Sequence, residues 1–117
     1  MFTICKTFDF SASHQLHGLH EGHPCGRLHG HNYTVGVILG AKTLDPLAFV
    51  MDFNELAPFK QYINDALDHR HLNDKMKQPT SEALAYFLYQ QAHRIIGPKV
   101  IAVRVSETPN TWAEWRP

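Results

Sequence analysis

Two histidines separated by one glycine, His29 and His31, are the first residues whose spacing suggests metal chemistry. They begin a segment of period-two alternation, and residues two apart on a strand project from the same face, so both imidazoles can reach one ion. His14 ends an earlier alternating segment and supplies a third imidazole if the two strands pair as a hairpin. Three histidines with an open fourth position are typical of catalytic zinc. The competing interpretation is a chance pair of histidines on a solvated strand face.

Cys25 precedes this pair by four residues and lies between a proline and a glycine in a polar segment. A nearby zinc ion favours a thiolate, so Cys25 is a candidate for a fourth zinc ligand, a general base or a nucleophile. Spacing does not distinguish these three roles. The other cysteine, Cys5, lies in a predicted strand and is expected to be a small buried residue. Three histidines of the intervening loop are expected to be solvated: His17, His20 and His23.

Asp68, His69 and Glu107 are further candidates for chemistry. The adjacent Asp68 and His69 follow a predicted helix and form a carboxylate–imidazole pair only if the loop folds suitably. Otherwise His69 is simply a histidine favoured by the helix dipole. Glu107 closes a predicted strand, where it is either a surface charge or an acceptor for the two parallel N–H donors of a guanidine-like ring edge.

Composition excludes several functional classes. The 117 residues are most simply one domain, residues 1–117, and 11 basic residues balance 11 acidic ones, so no broad positive field is available for nucleic acid or an anionic membrane. No apolar run approaches the roughly 20 residues that cross a bilayer. The first residues do not resemble a signal peptide. We therefore expect a cytoplasmic protein with two free thiols.

The elements that position these residues alternate between two periodicities. Residues 3–14 and 28–39 have the period of strands, and residues 54–67 and 81–96 have apolar positions at helical spacing. Thr80 is the predicted cap of the second helix. The remaining chain reads as two strands around Pro109-Asn110. The order predicts an α+β fold with a four-stranded antiparallel sheet and both helices on one face, whose exposed edges favour an oligomer.

Six motifs occur in a characteristic order: F-x-x-x-H from residue 10, then CGRLHGHNY, VMDF, LDHRHLN, PTSEALA and VSETPNTWAEW. Together they resemble the 6-pyruvoyltetrahydropterin synthase superfamily, most closely its bacterial 6-carboxytetrahydropterin synthase branch of queuosine biosynthesis. The resemblance covers essentially the whole chain. The spacing C-x-x-x-H-G-H is that of the carboxy-forming branch, whereas animal pyruvoyl-forming enzymes tend to have a longer gap. The chain departs from the pattern at Ser13, where alanine is frequent, and has His71 at a variable position.

The resemblance implies a T-fold, or tunnelling fold, in which the sheets of several subunits join into a barrel, as a trimer or as two stacked trimers. It implies a zinc ion on three ligands, His14, His29 and His31. It implies that Cys25 transfers a proton with the assistance of Asp68 and His69. The residues that would contact a pterin are Glu107, as the anchor of its amino-pyrimidinone edge, and Thr80 and Ser81 from a neighbouring subunit.

The implied reaction converts 7,8-dihydroneopterin triphosphate into 6-carboxy-5,6,7,8-tetrahydropterin, with release of acetaldehyde and triphosphate. The basic residues nearest the motifs, which are candidates for the triphosphate, are Arg27, Lys75 and Lys77. Three alternatives remain. A pyruvoyl-forming sister enzyme shares every named residue, and a non-catalytic zinc module would use Cys25 to close a Cys-His₃ site. A generic zinc hydrolase is disfavoured because no H-E-x-x-H motif is present.

Overall fold

Two long strands form the centre of the fold. In a computed structural model that describes residues 1–117, β1 (Phe2–His14) and β2 (His29–Ala41) pair antiparallel along their whole length. The sheet has the order β3–β1–β2–β4–β5, with β3 at Arg70–His71, β4 at Val100–Thr108 and β5 at Thr111–Trp115. The predicted hairpin is confirmed, and its register places His14 directly opposite His29.

The sheet has one strand more than the sequence predicted. Four strands are antiparallel as expected, whereas β3 pairs parallel with Ala12 and Ser13 of β1, so the complete sheet is mixed. A strand of two residues is too short to show any periodicity, which is why the pattern predicted only a polar loop there. β3 nevertheless matters, because it directly follows the candidate residues Asp68 and His69.

Two helices cover one face of the sheet, as predicted. α2 (Ser81–Ile96) has the predicted bounds, with its first turn capped by Thr80 and its last residue followed by Gly97 at a φ of 120°. α1 (Ala57–Ala66) begins later than predicted, because Phe53–Leu56 form a 3₁₀ turn capped by Asp52. The predicted apolar face of α1 is fully buried, at Leu56, Phe59, Ile63 and Leu67. Neither helix has the length and hydropathy of a membrane span.

The two faces of the sheet differ in what they carry. Phe8, Phe10 and Ala12 of β1 and Tyr33, Val35, Val37 and Leu39 of β2 face the helices and form the core. His14 continues the core-facing positions of β1, and His29 and His31 continue those of β2. The three histidines therefore extend this face to the end of the sheet. The prediction for Cys5 is wrong for the single chain: it lies on the opposite face and is exposed, beside Gly36.

Thr80 has a structural role that can be measured by itself. Its hydroxyl accepts a hydrogen bond from the backbone N–H of Ala83 at 3.1 Å, in the first turn of α2. Thr80→Ala should lower the free energy of unfolding by about 1 kcal/mol, because that N–H loses its partner. Thr80→Ser keeps the oxygen and should be near wild type in thermal or urea unfolding. Equal stabilities for the alanine and serine variants would contradict the capping role.

Candidate metal and active site

The three predicted ligands converge at the end of the β1–β2 hairpin. The register brings His14 opposite His29 and Ala12 opposite His31, so the three imidazoles share one face of two adjacent strands. One ligand atom from each lies within 4.8 Å of the others. His14 is 1% exposed, and the other two are partly buried. The sequence-based expectation that these side chains meet is therefore met by the geometry.

The hydrogen bonds of these histidines fit a bound cation. Nδ1 of His14 donates to the Pro79 carbonyl at 2.7 Å, and Nδ1 of His29 donates to the Arg27 carbonyl at 2.7 Å. Each Nε2 then carries a lone pair, yet these two atoms face each other at 2.8 Å. Two acceptors in that position repel each other unless a cation lies among them. Carbonyl-oriented imidazoles are the usual arrangement around a metal ion.

His31 completes the donor set. Its Nε2 is buried without a hydrogen-bond partner, and the nearest carboxylate oxygen, Oε2 of Glu107, is 3.6 Å away. Burial lowers the pKa of His31, although the Glu107 charge opposes this effect. Burial therefore favours the neutral imidazole, which is the form that binds metal. An orphaned buried nitrogen next to two facing lone pairs suits a divalent cation that accepts nitrogen ligands, such as zinc.

Tyr33 lies next to His14 and His31 on the same face of the sheet, and it was not among the residues predicted from the sequence. Its hydroxyl lies 3.3 Å from Nδ1 of His14, and its ring stacks on Phe10 with centroids 5.1 Å apart. Burial, and secondarily the Glu107 charge, raises the pKa of Tyr33, so the phenol stays protonated. The only signal in the sequence is its place two residues after His31, on the same strand face.

Cys25 lies in a short 3₁₀ turn, Pro24–Gly26. Its N–H donates to Nδ1 of His23 at 3.0 Å, and its carbonyl accepts from Leu16 N–H at 3.0 Å. His23 thus caps this turn rather than standing free in solvent as predicted, whereas His17 and His20 are exposed. The thiol is partly buried and is not part of the three-histidine group. The structure therefore gives no support to a closed Cys-His₃ site.

Asp68 and His69 form the carboxylate–imidazole pair that their adjacency alone left open. Oδ2 of Asp68 lies 3.1 Å from Nδ1 of His69, and Oδ1 accepts the N–H of Ser11 at 2.9 Å. These two partners, Ser11 first, hold the pKa of Asp68 below its usual range. The pair stands at the edge of β1, and 83% of the His69 side chain is exposed. An ionised carboxylate behind an accessible imidazole is an arrangement suited to proton transfer.

Residues 3–117 match the model of the protein family described as 6-pyruvoyl tetrahydropterin synthase. The chain belongs to this family. The 6-carboxy-5,6,7,8-tetrahydropterin synthase of Synechocystis is 36% identical over 122 residues, covering 98% of this chain and 93% of that protein. The enzyme of the same name from Bacillus subtilis is 30% identical over 129 residues, covering 99% and 86%.

The fold is that of the 6-pyruvoyl tetrahydropterin synthase family as well. The solved structure of the Caenorhabditis elegans 6-pyruvoyl tetrahydropterin synthase superposes with a TM-score of 0.86, at 26% identity, covering 99% of this chain and 95% of that one. This similarity supports the predicted T-fold for the single chain. The barrel formed by several subunits stays a prediction, because one chain is described.

Of the remaining predicted residues of this family member, Glu107, Thr80 and Ser81 lie next to the three-histidine group. Glu107 is on β4 beside His31, with 26% of its side chain exposed. Thr80 and Ser81 begin α2, directly after the Pro79 carbonyl that orients His14. A cavity of about 570 Å³ is lined by residues that include both His31 and His69. Arg27, Lys75 and Lys77 do not line this cavity, so their role toward a triphosphate stays a prediction.

Proposed function

We propose that this protein is a zinc-dependent carbon–carbon lyase that converts 7,8-dihydroneopterin triphosphate and one water molecule into 6-carboxy-5,6,7,8-tetrahydropterin, acetaldehyde and triphosphate. The observation that carries the proposal is the convergence of three imidazoles whose free nitrogens face one another at the end of the hairpin. Relatives from Synechocystis and Bacillus subtilis that bear the carboxytetrahydropterin synthase name support the choice of substrate. A place in queuosine biosynthesis and a cytoplasmic location belong to the same proposal.

The roles of the residues follow from their chemistry. A zinc ion on His14, His29 and His31 would supply Lewis-acid polarisation of the substrate's side-chain oxygens. Glu107 offers two carboxylate oxygens to the parallel N–H donors of the pterin ring. Thr80 and Ser81, at the start of α2, would contact the ring from a neighbouring subunit.

Two groups would transfer protons. Sγ of Cys25 would take a proton from the substrate side chain next to the ring. His69 would carry out the second proton transfer through Nε2, because its Nδ1 is held 3.1 Å from Asp68. Each positioned acid or base contributes about 10²- to 10⁴-fold in rate. Asp68 acts by orienting the imidazole and stabilising its protonated form.

We further propose that the active protein is a homo-oligomer. In the single chain, the outer side of β5 is unpaired, and the outer side of β1 is paired only at Ala12 and Ser13, with β3. Phe2, Phe49 and Phe53 line an apolar groove beside β1 and are each about half exposed. Long open edges and apolar surface favour association. Sedimentation equilibrium of the zinc-loaded protein tests this, and a monomer at micromolar concentration would contradict it.

The sister reaction is the main alternative, because the C. elegans structure with TM-score 0.86 is of a pyruvoyl-forming enzyme. Both reactions eliminate triphosphate, but only the carboxy-forming reaction cleaves a carbon–carbon bond of the side chain. Zinc-loaded protein should be incubated with 7,8-dihydroneopterin triphosphate, with trapping of acetaldehyde and mass spectrometry of the pterins. Acetaldehyde with the carboxypterin supports the lyase. The pyruvoyl compound alone moves the protein to the sister reaction, and zinc-bound protein without turnover supports the non-catalytic module.

Glu107→Gln should weaken pterin binding by at least about tenfold, because a charge-assisted pair of hydrogen bonds becomes a neutral one with a misplaced donor. Zinc content should be unchanged, since Glu107 is not in the three-histidine group. Fluorescence titration with a dihydropterin measures the affinity. Glu55→Gln, an exposed carboxylate in the turn before α1, is the matched control. Equal affinities for both variants would reduce Glu107 to a surface charge.

A further inference from the structure

Ser13 and His71 are hydrogen-bonded to each other, although neither has a role in the proposed reaction. They are partners in the register of β1 with β3, so their side chains leave the same face of the sheet. Oγ of Ser13 lies 2.9 Å from Nδ1 of His71. Both line the cavity of about 570 Å³ that His69 also lines.

Residues 67–72, which run from the end of α1 through β3, are the part of the chain that this hydrogen bond can hold. Its two ends are anchored in the core by Leu67 and Leu72, which are fully buried. Between them, the N–H of His69 donates to the Ser11 carbonyl at 2.6 Å, and Asp68 accepts the Ser11 N–H. The Asp68–His69 pair is therefore bound by both backbone polar groups of a single β1 residue, Ser11.

His69 itself has an unfavourable backbone conformation. Its φ is 58°, in the left-handed region that residues with a Cβ rarely adopt. Such a conformation persists only where neighbouring contacts impose it. β3 has only two residues and ends the sheet. Directly after it, the side chain of Asn73 is hydrogen-bonded to both backbone groups of Gln15. The Ser13–His71 hydrogen bond lies between the Ser11 and Gln15 contacts, and it joins the two side chains at the β1–β3 pairing itself.

We propose that the Ser13–His71 hydrogen bond is a positioning contact that keeps β3 paired with β1 and thereby holds the Asp68–His69 pair in its geometry. Ser13 and His71 touch no reacting atom in this proposal. They act through His69, whose strained backbone relaxes when β3 separates from β1. The catalytic consequence rests on the function proposed above, whereas the structural consequence does not.

Two pairs of variants isolate the contact. Ser13→Ala removes the hydroxyl and Ser13→Thr keeps one. His71→Leu removes the hydrogen-bonding nitrogen, and His71→Asn keeps a polar atom at the same number of bonds from the backbone. Thr34→Val is the matched control, since it deletes another hydroxyl bond on the same sheet face, from Thr34 to Asp9 at 2.8 Å. If Ser13→Ala fails to fold, the two His71 variants provide the test, and if His71→Leu fails to fold, the two Ser13 variants do.

Hydrogen exchange of the His69 amide in the intact zinc-loaded protein is the first measurement. It should become about tenfold faster in Ser13→Ala and His71→Leu, in line with the loss of one hydrogen bond, and stay near wild type in the other three variants. Where turnover is present, kcat should fall at least about tenfold in the two deletion variants, with KM and zinc content nearly unchanged.

The outcomes separate the two proposals. Unchanged exchange at His69 in both deletion variants overturns the positioning contact. Faster exchange with unchanged kcat overturns it too, because the pair would then need no positioning. If the wild-type protein shows no turnover, the proposed function fails alone. The nitrogen-15 shift of His69 Nδ1, which reports its bond to Asp68, then decides: a change in the two deletion variants supports the contact, and none overturns it.

Discussion

His29→Ala is expected to cost the protein its metal ion. His29 contributes one of only three nitrogen donors, and its Nε2 is the atom that faces Nε2 of His14 at 2.8 Å. Two imidazoles alone leave a zinc ion mostly solvated. Loss of an outer hydrogen-bond partner already costs 10- to 100-fold in affinity, so removal of a ligand should cost more than about 100-fold. Metal analysis after gel filtration should find little zinc, and turnover should be absent.

The loop histidines provide the control for this experiment. His17→Ala and His20→Ala delete exposed imidazoles outside the three-histidine group and should keep one zinc per chain. This comparison separates loss of a ligand from a general loss of histidine. Circular dichroism checks that His29→Ala keeps the fold, as expected for a partly buried residue at the start of β2. Full zinc occupancy in His29→Ala would show that His29 is not a zinc ligand.

Cys25→Ala should have the opposite signature, with zinc retained and turnover lost. The thiol is not part of the three-histidine group, so its removal leaves every nitrogen donor in place. The expected loss in kcat is about 10²- to 10⁴-fold, the usual contribution of a positioned proton-transfer group. The turn around Cys25 should survive, since it is held by the backbone atoms of Cys25 and by His23.

Cys5→Ala is the matched control for that variant. Cys5 is the only other thiol, and it is exposed on the sheet face opposite the helices. Its removal should leave both zinc content and kcat near wild type. The informative contrary result is a Cys25→Ala protein that loses zinc and activity together. That result would make Cys25 a ligand and revive the closed Cys-His₃ alternative.

The sequence by itself determined the elements whose signals are local. α2 has the predicted bounds because a cap at Thr80, helical spacing of apolar residues and a stop at Gly97 all lie within one segment. The hairpin was predictable for a similar reason: two alternating segments of equal length flank one polar loop. Pairing such strands brings His14 beside His29 and His31, so the convergence of the three imidazoles could be inferred from spacing.

The tertiary structure decided what depends on contacts between distant segments. The carbonyls that orient His14 and His29 belong to Pro79 and Arg27, and a backbone carbonyl has no sequence signature. β3 and the left-handed His69 arise because the chain after α1 docks on Ser11 of β1. The burial of Cys5 was mispredicted because it was inferred from residue type, whereas Cys5 alternates with the core-facing residues Ile4 and Phe8 and lies on the opposite face with Thr7 and Asp9.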